Sequence, residues 1–321
     1  MADWYSPTTT KAFILLLIQF TILCVLINRG TVFEQNLGSA YMKKKSPNHG
    51  YQKITPNIDN NARIVKHRVT MVRNHCDAHK KEMMAEYPDY DHSSGLLTWV
   101  WMTSQNHSLF YCATPKCGST TWKSYLMEDL GIDWHIDTHE AARQLGVYYE
   151  LPEHLKSITE FLETYRPNNR LMIVRNPWAR LASAYDDKIV VKKWSLKRMC
   201  AGWKPYQQMT MPTFAQFIDC VLHNPPKVYY EGHTHPLTSL CALCHMDYNI
   251  ILKLEEMDVM ELYLMNLLKF KVKPKYKPPR KMKNNKYQDR YRNISAAQIA
   301  QLQHVYRYDI SLFNYPQSPF D

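Results

Sequence analysis

From Leu109 to Trp122 the chain reads Leu-Phe-Tyr-Cys-Ala-Thr-Pro-Lys-Cys-Gly-Ser-Thr-Thr-Trp, an apolar run that stops at Pro115 and gives way at once to polar residues. Ser108 to Ala113 has the composition of a short buried strand, and Ser119 to Leu130 sets Trp122, Leu126 and Leu130 at helical spacing. A strand-to-helix turn is therefore predicted between them. Gly118 lets the backbone come close to a ligand, and the free amides of a first helical turn face outward. Ser119, Thr120 and Thr121 add hydroxyl donors beside the Lys116 ammonium, which makes the turn a site for phosphate or sulfate.

A second unit of the same kind follows about 60 residues later. Arg170 to Val174 is an apolar strand, and it ends in Arg175-Asn-Pro-Trp-Ala-Arg-Leu-Ala-Ser183, where Pro177 opens a helix. Arg175 leaves the strand and Ser183 lies two turns along the helix. Guanidinium and hydroxyl can thus converge on one phosphate, and the bidentate fork of arginine suits that task. The two units predict an α/β domain, a parallel sheet flanked by helices with both loops at strand ends.

A nucleotide-triphosphatase loop needs G-x-x-x-x-G-K-[ST], with lysine near its end. Here Lys116 precedes the glycine, and no magnesium-holding partners are evident, so no metal is expected. The order P-K-x-G-[ST]-T-x-W instead resembles the sulfotransferase loop that holds the 5′-phosphosulfate of 3′-phosphoadenylyl sulfate. The spacing of Arg175 and Ser183 resembles that family's site for the donor's 3′-phosphate. Further on come His233-Thr-His-Pro236, Leu240-Cys-Ala-Leu-Cys244, Tyr248 to Glu256 and Val305 to Tyr315. Together these stretches resemble the Golgi carbohydrate sulfotransferases of the chondroitin 4-O, dermatan 4-O and HNK-1 group, over roughly Asn61 to Tyr315.

The resemblance implies a type II Golgi membrane protein with a luminal domain. That domain would move a sulfuryl group from 3′-phosphoadenylyl sulfate, its co-substrate, to a hydroxyl of a chondroitin- or dermatan-type or glucuronyl-terminated glycan. It implies donor contacts along Pro115, Lys116, Cys117, Gly118, Ser119, Thr120, Thr121 and Trp122, and again along Arg175, Asn176, Pro177, Arg180 and Ser183. Lys116 would be catalytic, and His139 falls where related uronosyl 2-O-sulfotransferases keep a histidine base. This sequence departs from the group in reading Arg175-Asn-Pro-Trp178 for R-E-P-F, Gly232-His-Thr-His-Pro236 for E-H-W-x-P, and P-K-C-G-S-T-T-W for P-K-V-A-C-T-N-W. The missing tryptophan at Thr234 puts a sugar-stacking face in question. A catalytically silent glycan-binding relative with the same fold is the alternative reading.

Delivery is legible ahead of the domain. Residues 1–11 read as a cytoplasmic tail and 12–30 as a transmembrane signal-anchor, whose uncharged run from Ala12 to Ile27 is about 24 Å long as a helix. A cleaved leader competes, but Asn28-Arg29-Gly30 is not a small-x-small cleavage site. Residues 31–60 read as a stem and 61–321 as the luminal domain. Sequons at Asn106 and Asn293 predict glycosylation. Of eight cysteines, seven lie beyond the anchor, which fits an oxidising compartment with at least one thiol left over. Cys241 and Cys244 are read as disulfide-bonded rather than zinc-binding.

The surplus of 40 Lys+Arg over 29 Asp+Glu favours acidic partners. Between Lys269 and Arg292 eleven basic residues face the single acid Asp289 with tyrosines interspersed, either a groove for an acidic glycan or a solvated loop. Nucleic acid is disfavoured by the anchor and sequons. His135 and His139, four residues apart about a predicted helix from Asp137 to Leu145, are either satisfied histidines or the source of a general base. A helix is predicted from Asn61 to Cys76 on the spacing of Ile64, Val65, Val69, Met71 and Val72, a strand or hairpin arm from Leu96 to Met102, and one packing helix from Ser295 to Leu312 capped by Asn293 or Ser295.

Overall fold

The computed structural model describes residues 58–86, 100–103, 109–131, 160, 162–163, 166–196, 209, 211–223, 232–272 and 286–321. All fall within one unit, Thr55–Asp321. The expected anchor at 12–30 lies outside the described residues, among which no helix is long and apolar enough to cross a membrane. Asn106, His135 and His139 also lie outside them.

Among the described residues, four short strands build the sheet in the order β1 (Val100–Thr103), β2 (Leu109–Cys112), β3 (Asn169–Val174), β4 (Ile250–Lys253). β2, β3 and β4 run parallel, with Tyr111 opposite Leu171 and Leu171 opposite Ile250. β1 joins the parallel strands as an antiparallel neighbour of β2, in keeping with a hairpin arm ahead of the expected parallel sheet. Every residue of β2 is buried, as a central strand covered on both faces requires. Because three strands point the same way, the chain leaves them at one end of the sheet, where Pro115, Arg175 and Leu254 begin the following loops.

The helix expected from Asn61 spans Ile58–Glu86 (α1). Val65, Val69, Val72, Cys76 and Met83 form its buried stripe at helical spacing, whereas Met71 is 52% exposed on another face. Arg68 fastens α1 to the sheet: its Nη1 donates to the Ile251 carbonyl at 3.0 Å and its Nη2 to both Glu256 carboxylate oxygens at 3.0 and 2.9 Å. Ser119–Asp129 (α2) follows β2. Pro177–Tyr185 (α3) follows β3 and widens into a π-helix over Asp186–Val191. Further α-helices among the described residues are Phe214–His223 (α4), Leu237–Leu240 (α5), Leu243–Met246 (α6), Met257–Leu267 (α7), Lys286–Tyr291 (α8), Ala296–Val305 (α9) and Arg307–Leu312 (α10). The single C-terminal helix expected from Ser295 is thus two, divided at Tyr306. Ser295 is the cap, forming a reciprocal capping box with Gln298.

One core lies about the sheet, α1, α2 and α7, and a second joins α3, α4 and α9. Trp178 anchors the second. Its ring meets Tyr291 edge-on at 5.6 Å, its Nε1 donates to the Pro316 carbonyl at 3.0 Å, and its own carbonyl accepts from the Tyr291 hydroxyl at 2.9 Å. The indole fits at this position because its N–H has a buried acceptor.

Disulfides join Cys76 to Cys244 and Cys112 to Cys241, tying α1 and β2 to the α5–α6 segment; Cys220 is also disulfide-bonded, and Cys117 is free and buried. Cys241 and Cys244 are therefore both oxidised, but to partners 129 and 168 residues away rather than to each other. Replacing Cys112 and Cys241 together by alanine is expected to lower stability by about 2–5 kcal/mol, read from the denaturant midpoint.

Candidate functional site

At the C-terminal end of the parallel strands lies a cavity of about 620 Å³. The β2–α2 turn forms one wall. Cys117 accepts no place in it: the chain turns through Lys116 with φ 67° and Gly118 with φ 79°, and the thiol between them points into the core. Glycine suits this position, since the backbone at 118 is left-handed and a Cβ there would come to 3.0 Å from Leu254 Cδ1. As the N-cap of α2, Gly118 offers no side chain to the first amides of the helix, which remain available to an anion along with the positive end of the helix dipole. The Ser119 and Thr120 side chains line the cavity beside them.

The β3–α3 unit forms the opposite wall, and its helix start is closed. Asn176 Oδ1 accepts from the amides of Trp178 and Ala179 at 2.9 and 3.2 Å. An anion on this side must therefore be held by side chains, and Arg175 and Ser183 line the cavity. Arg175 Nη1 donates to the Lys116 carbonyl at 2.9 Å, joining the two loops. Burial draws its pKa below the ordinary arginine value, but the guanidinium stays charged.

The remaining lining residues come from the π-helix and two later segments: Asp187, Lys188, Lys192, Trp194, His233 and Leu254. Lys116 Nζ donates to Asp187 Oδ2 at 3.0 Å, and Lys188 Nζ lies 3.4 Å from the same oxygen. Burial pushes the Asp187 carboxyl up, but the hydrogen bond from Lys116 and the charges of Lys116, Lys188 and Lys192 outweigh it and hold it below the usual carboxylate value. Lys188 Nζ sits 4.3 Å from the centre of the Trp194 ring, and His233 meets that ring edge-on at 6.0 Å. Lys116, Arg175, Lys188 and Lys192 against the Asp187 carboxylate make the cavity cationic, suited to phosphate and sulfate esters.

Of the donor-contact residues expected from sequence, the cavity gathers Pro115, Lys116, Gly118, Ser119, Thr120, Arg175 and Ser183. Others do different work. Burial raises the Cys117 thiol pKa, Trp122 packs edge-on against Tyr125 in the core, and Thr121 lends its carbonyl to Ser124 Oγ. Asn176 is a helix cap and Pro177 the first residue of α3. Arg180 is 1% exposed, its guanidinium spent on the carbonyls of Pro115, His235 and Gly232 at 3.1, 2.6 and 2.7 Å, so it braces the walls rather than reaching the cavity. Thr234 is 6% exposed and does not line the cavity, whose aromatic lining is Trp194. Asn293 is exposed in the turn before α9. Of the basic run, 273–285 lie outside the described residues.

Sequence reading missed Asp187, Lys188, Lys192 and Trp194. A signal existed in the four-residue step from Ser183 to Asp187, which returns to the same helix face.

A profile of the sulfotransferase family matches residues 99–316. Carbohydrate sulfotransferase 11 of Rattus norvegicus is 27% identical over 236 residues, covering 67% of this chain and 66% of that protein. Its namesake in Danio rerio is 24% identical over 241 residues, with 67% and 66% covered. Carbohydrate sulfotransferase 12 of Xenopus laevis is 23% identical over 258 residues, covering 67% and 60%. The chain thus spans slightly less than two thirds of the length of these relatives. No solved structure matches.

Proposed function

Because the chain belongs to the sulfotransferase family, we propose that it transfers a sulfuryl group from 3′-phosphoadenylyl sulfate to a hydroxyl of an acidic glycan, of chondroitin or dermatan type or glucuronyl-terminated. The observation that carries this reading is the pairing, in one cationic cavity, of an uncapped helix start beside Lys116 with Arg175 and Ser183. The α2 amides, Ser119, Thr120 and Lys116 would hold the 5′-phosphosulfate, and Arg175 with Ser183 the 3′-phosphate. The names of the relatives support a carbohydrate acceptor.

In this reading the acceptor oxygen attacks sulfur in line as the bond from sulfur to the bridging phosphate oxygen breaks. Lys116 and the helix amides stabilise the charge left on that oxygen. The acceptor's proton passes to a base, for which His139 is the proposed residue. Trp194, half-buried beside His233, is the proposed stacking face for the sugar. Trp194→Ala is expected to raise the KM for acceptor about 2- to 10-fold with the donor KM unchanged, measured by initial rates. Disulfides support a luminal domain, in keeping with a Golgi type II protein with the anchor at 12–30, and Asn106 and Asn293 are proposed glycosylation sites.

The test is sulfate transfer from radiolabelled 3′-phosphoadenylyl sulfate to desulfated chondroitin, dermatan, heparan or glucuronyl-terminated glycans. Transfer to one of them is expected. Binding of 3′-phosphoadenosine 5′-phosphate with transfer to none would favour a silent glycan-binding relative, and absence of binding would overturn the proposal.

A further inference from the structure

A cavity suited to a polyanion holds a carboxylate. Asp187 stands four residues beyond Ser183 on the same helix face, where α3 widens into a π-helix over Asp186–Val191, a local departure that recurs at functional positions. The wider turn sets two consecutive side chains, Asp187 and Lys188, along the same cavity wall as Ser183. A negative charge there opposes binding of any phosphate or sulfate ester. Its presence is not explained by donor affinity.

Lys116 explains it. The lysine is held at both ends: Arg175 Nη1 grips its carbonyl at 2.9 Å, and Asp187 Oδ2 accepts from its ammonium at 3.0 Å. Lysine is a flexible point charge, and a small misplacement of a catalytic group costs a large part of its effect. We propose that Asp187 is a positioning residue, presented by the π-helix, that holds the Lys116 ammonium at the cavity wall until the leaving phosphate oxygen takes its place as partner. The inference rests on the sulfuryl-transfer reading. Lys188, 3.4 Å from the same carboxylate oxygen, balances the remaining charge and keeps Asp187 in place while Lys116 moves.

The experiment compares the full chain with its Asp187→Asn, Asp187→Glu and Lys116→Ala variants and the Lys116→Ala/Asp187→Asn double variant. Three quantities are read: affinity for 3′-phosphoadenosine 5′-phosphate by calorimetry, turnover in sulfate transfer, and labelling of Lys116 by an amine-reactive ester, located by mass spectrometry. Asp187→Asn is expected to lower turnover at least ~10-fold, with bisphosphate affinity unchanged or tighter and Lys116 labelling raised several-fold. Asp187→Glu recovers part of the turnover, and adding Asp187→Asn to Lys116→Ala lowers it no further. Unchanged turnover in Asp187→Asn overturns the inference, as does a parallel fall in turnover and bisphosphate affinity, which marks a structural role. If no acceptor is sulfated, equal labelling of Lys116 with and without the carboxylate overturns it. Failure of the unaltered chain to bind the bisphosphate defeats the underlying reading, whereas failure in the variants alone defeats only this assignment.

Discussion

Lys116→Ala is expected to lower turnover ~10- to 1000-fold in the sulfate-transfer assay, by analogy with removal of one oxyanion donor from a preorganised site. The size of the effect follows from where the ammonium stands. It is partly buried, lines the cavity beside the uncapped start of α2, and has no lysine or arginine neighbour on its own turn to replace it. Arg175 cannot substitute, because its guanidinium is committed to the Lys116 carbonyl and to the far wall. The fold should tolerate the change, since the ammonium's partner Asp187 keeps Lys188 within 3.4 Å. An unaltered melting temperature with unaltered turnover would remove Lys116 from the chemistry.

Arg180→Met is expected to destabilise the protein by about 3 kcal/mol or more, because it leaves buried acceptors without donors and a buried carboxylate without its counter-charge. The carbonyls concerned belong to Pro115, Gly232 and His235. The carboxylate is Asp309, whose pKa is raised by burial and drawn back by the Leu237 and Thr238 amides and by Arg180. For a domain of this size the loss corresponds to a fall of about 6–12 °C in melting temperature. Lysine is not expected to rescue it, having no planar fork to reach three carbonyls. A variant that kept its melting temperature but lost donor affinity would instead make Arg180 a ligand of the donor.

Much of the frame was legible from residue order. The strands Leu109–Cys112 and Asn169–Val174 and the helices after them lie within a residue of their expected places, since an apolar run broken by Pro115 or by Arg175-Asn-Pro177 leaves little choice of boundary. Lys116, Arg175 and Ser183 meet because parallel strands deliver their loops to one end. The carbonyl contacts of Arg180 were not legible in the sequence. Its place in the helix fixes a direction, but the Gly232–His235 turn that receives it lies 52 to 55 residues away and leaves no mark on the local pattern. The π-helix was invisible because Asp-Asp-Lys-Ile-Val-Val continues an ordinary helical reading, and the extra residue in its turn shows only in the backbone. Met71 was one of the apolar residues whose spacing suggested α1, yet its angular position takes it out of the buried stripe.

The pairing of Cys112 with Cys241 also sets a timetable for synthesis. With the second cysteine 129 positions after the first, a ribosome adding roughly 5–20 residues per second brings it out about 6–26 s later. Through that interval Cys112 waits as a thiol five positions from Cys117, which ends up unpaired inside the core. The nascent turn therefore carries a competitor for its own strand, and a disulfide isomerase must reopen any bond made to Cys117 before the sheet can close over it.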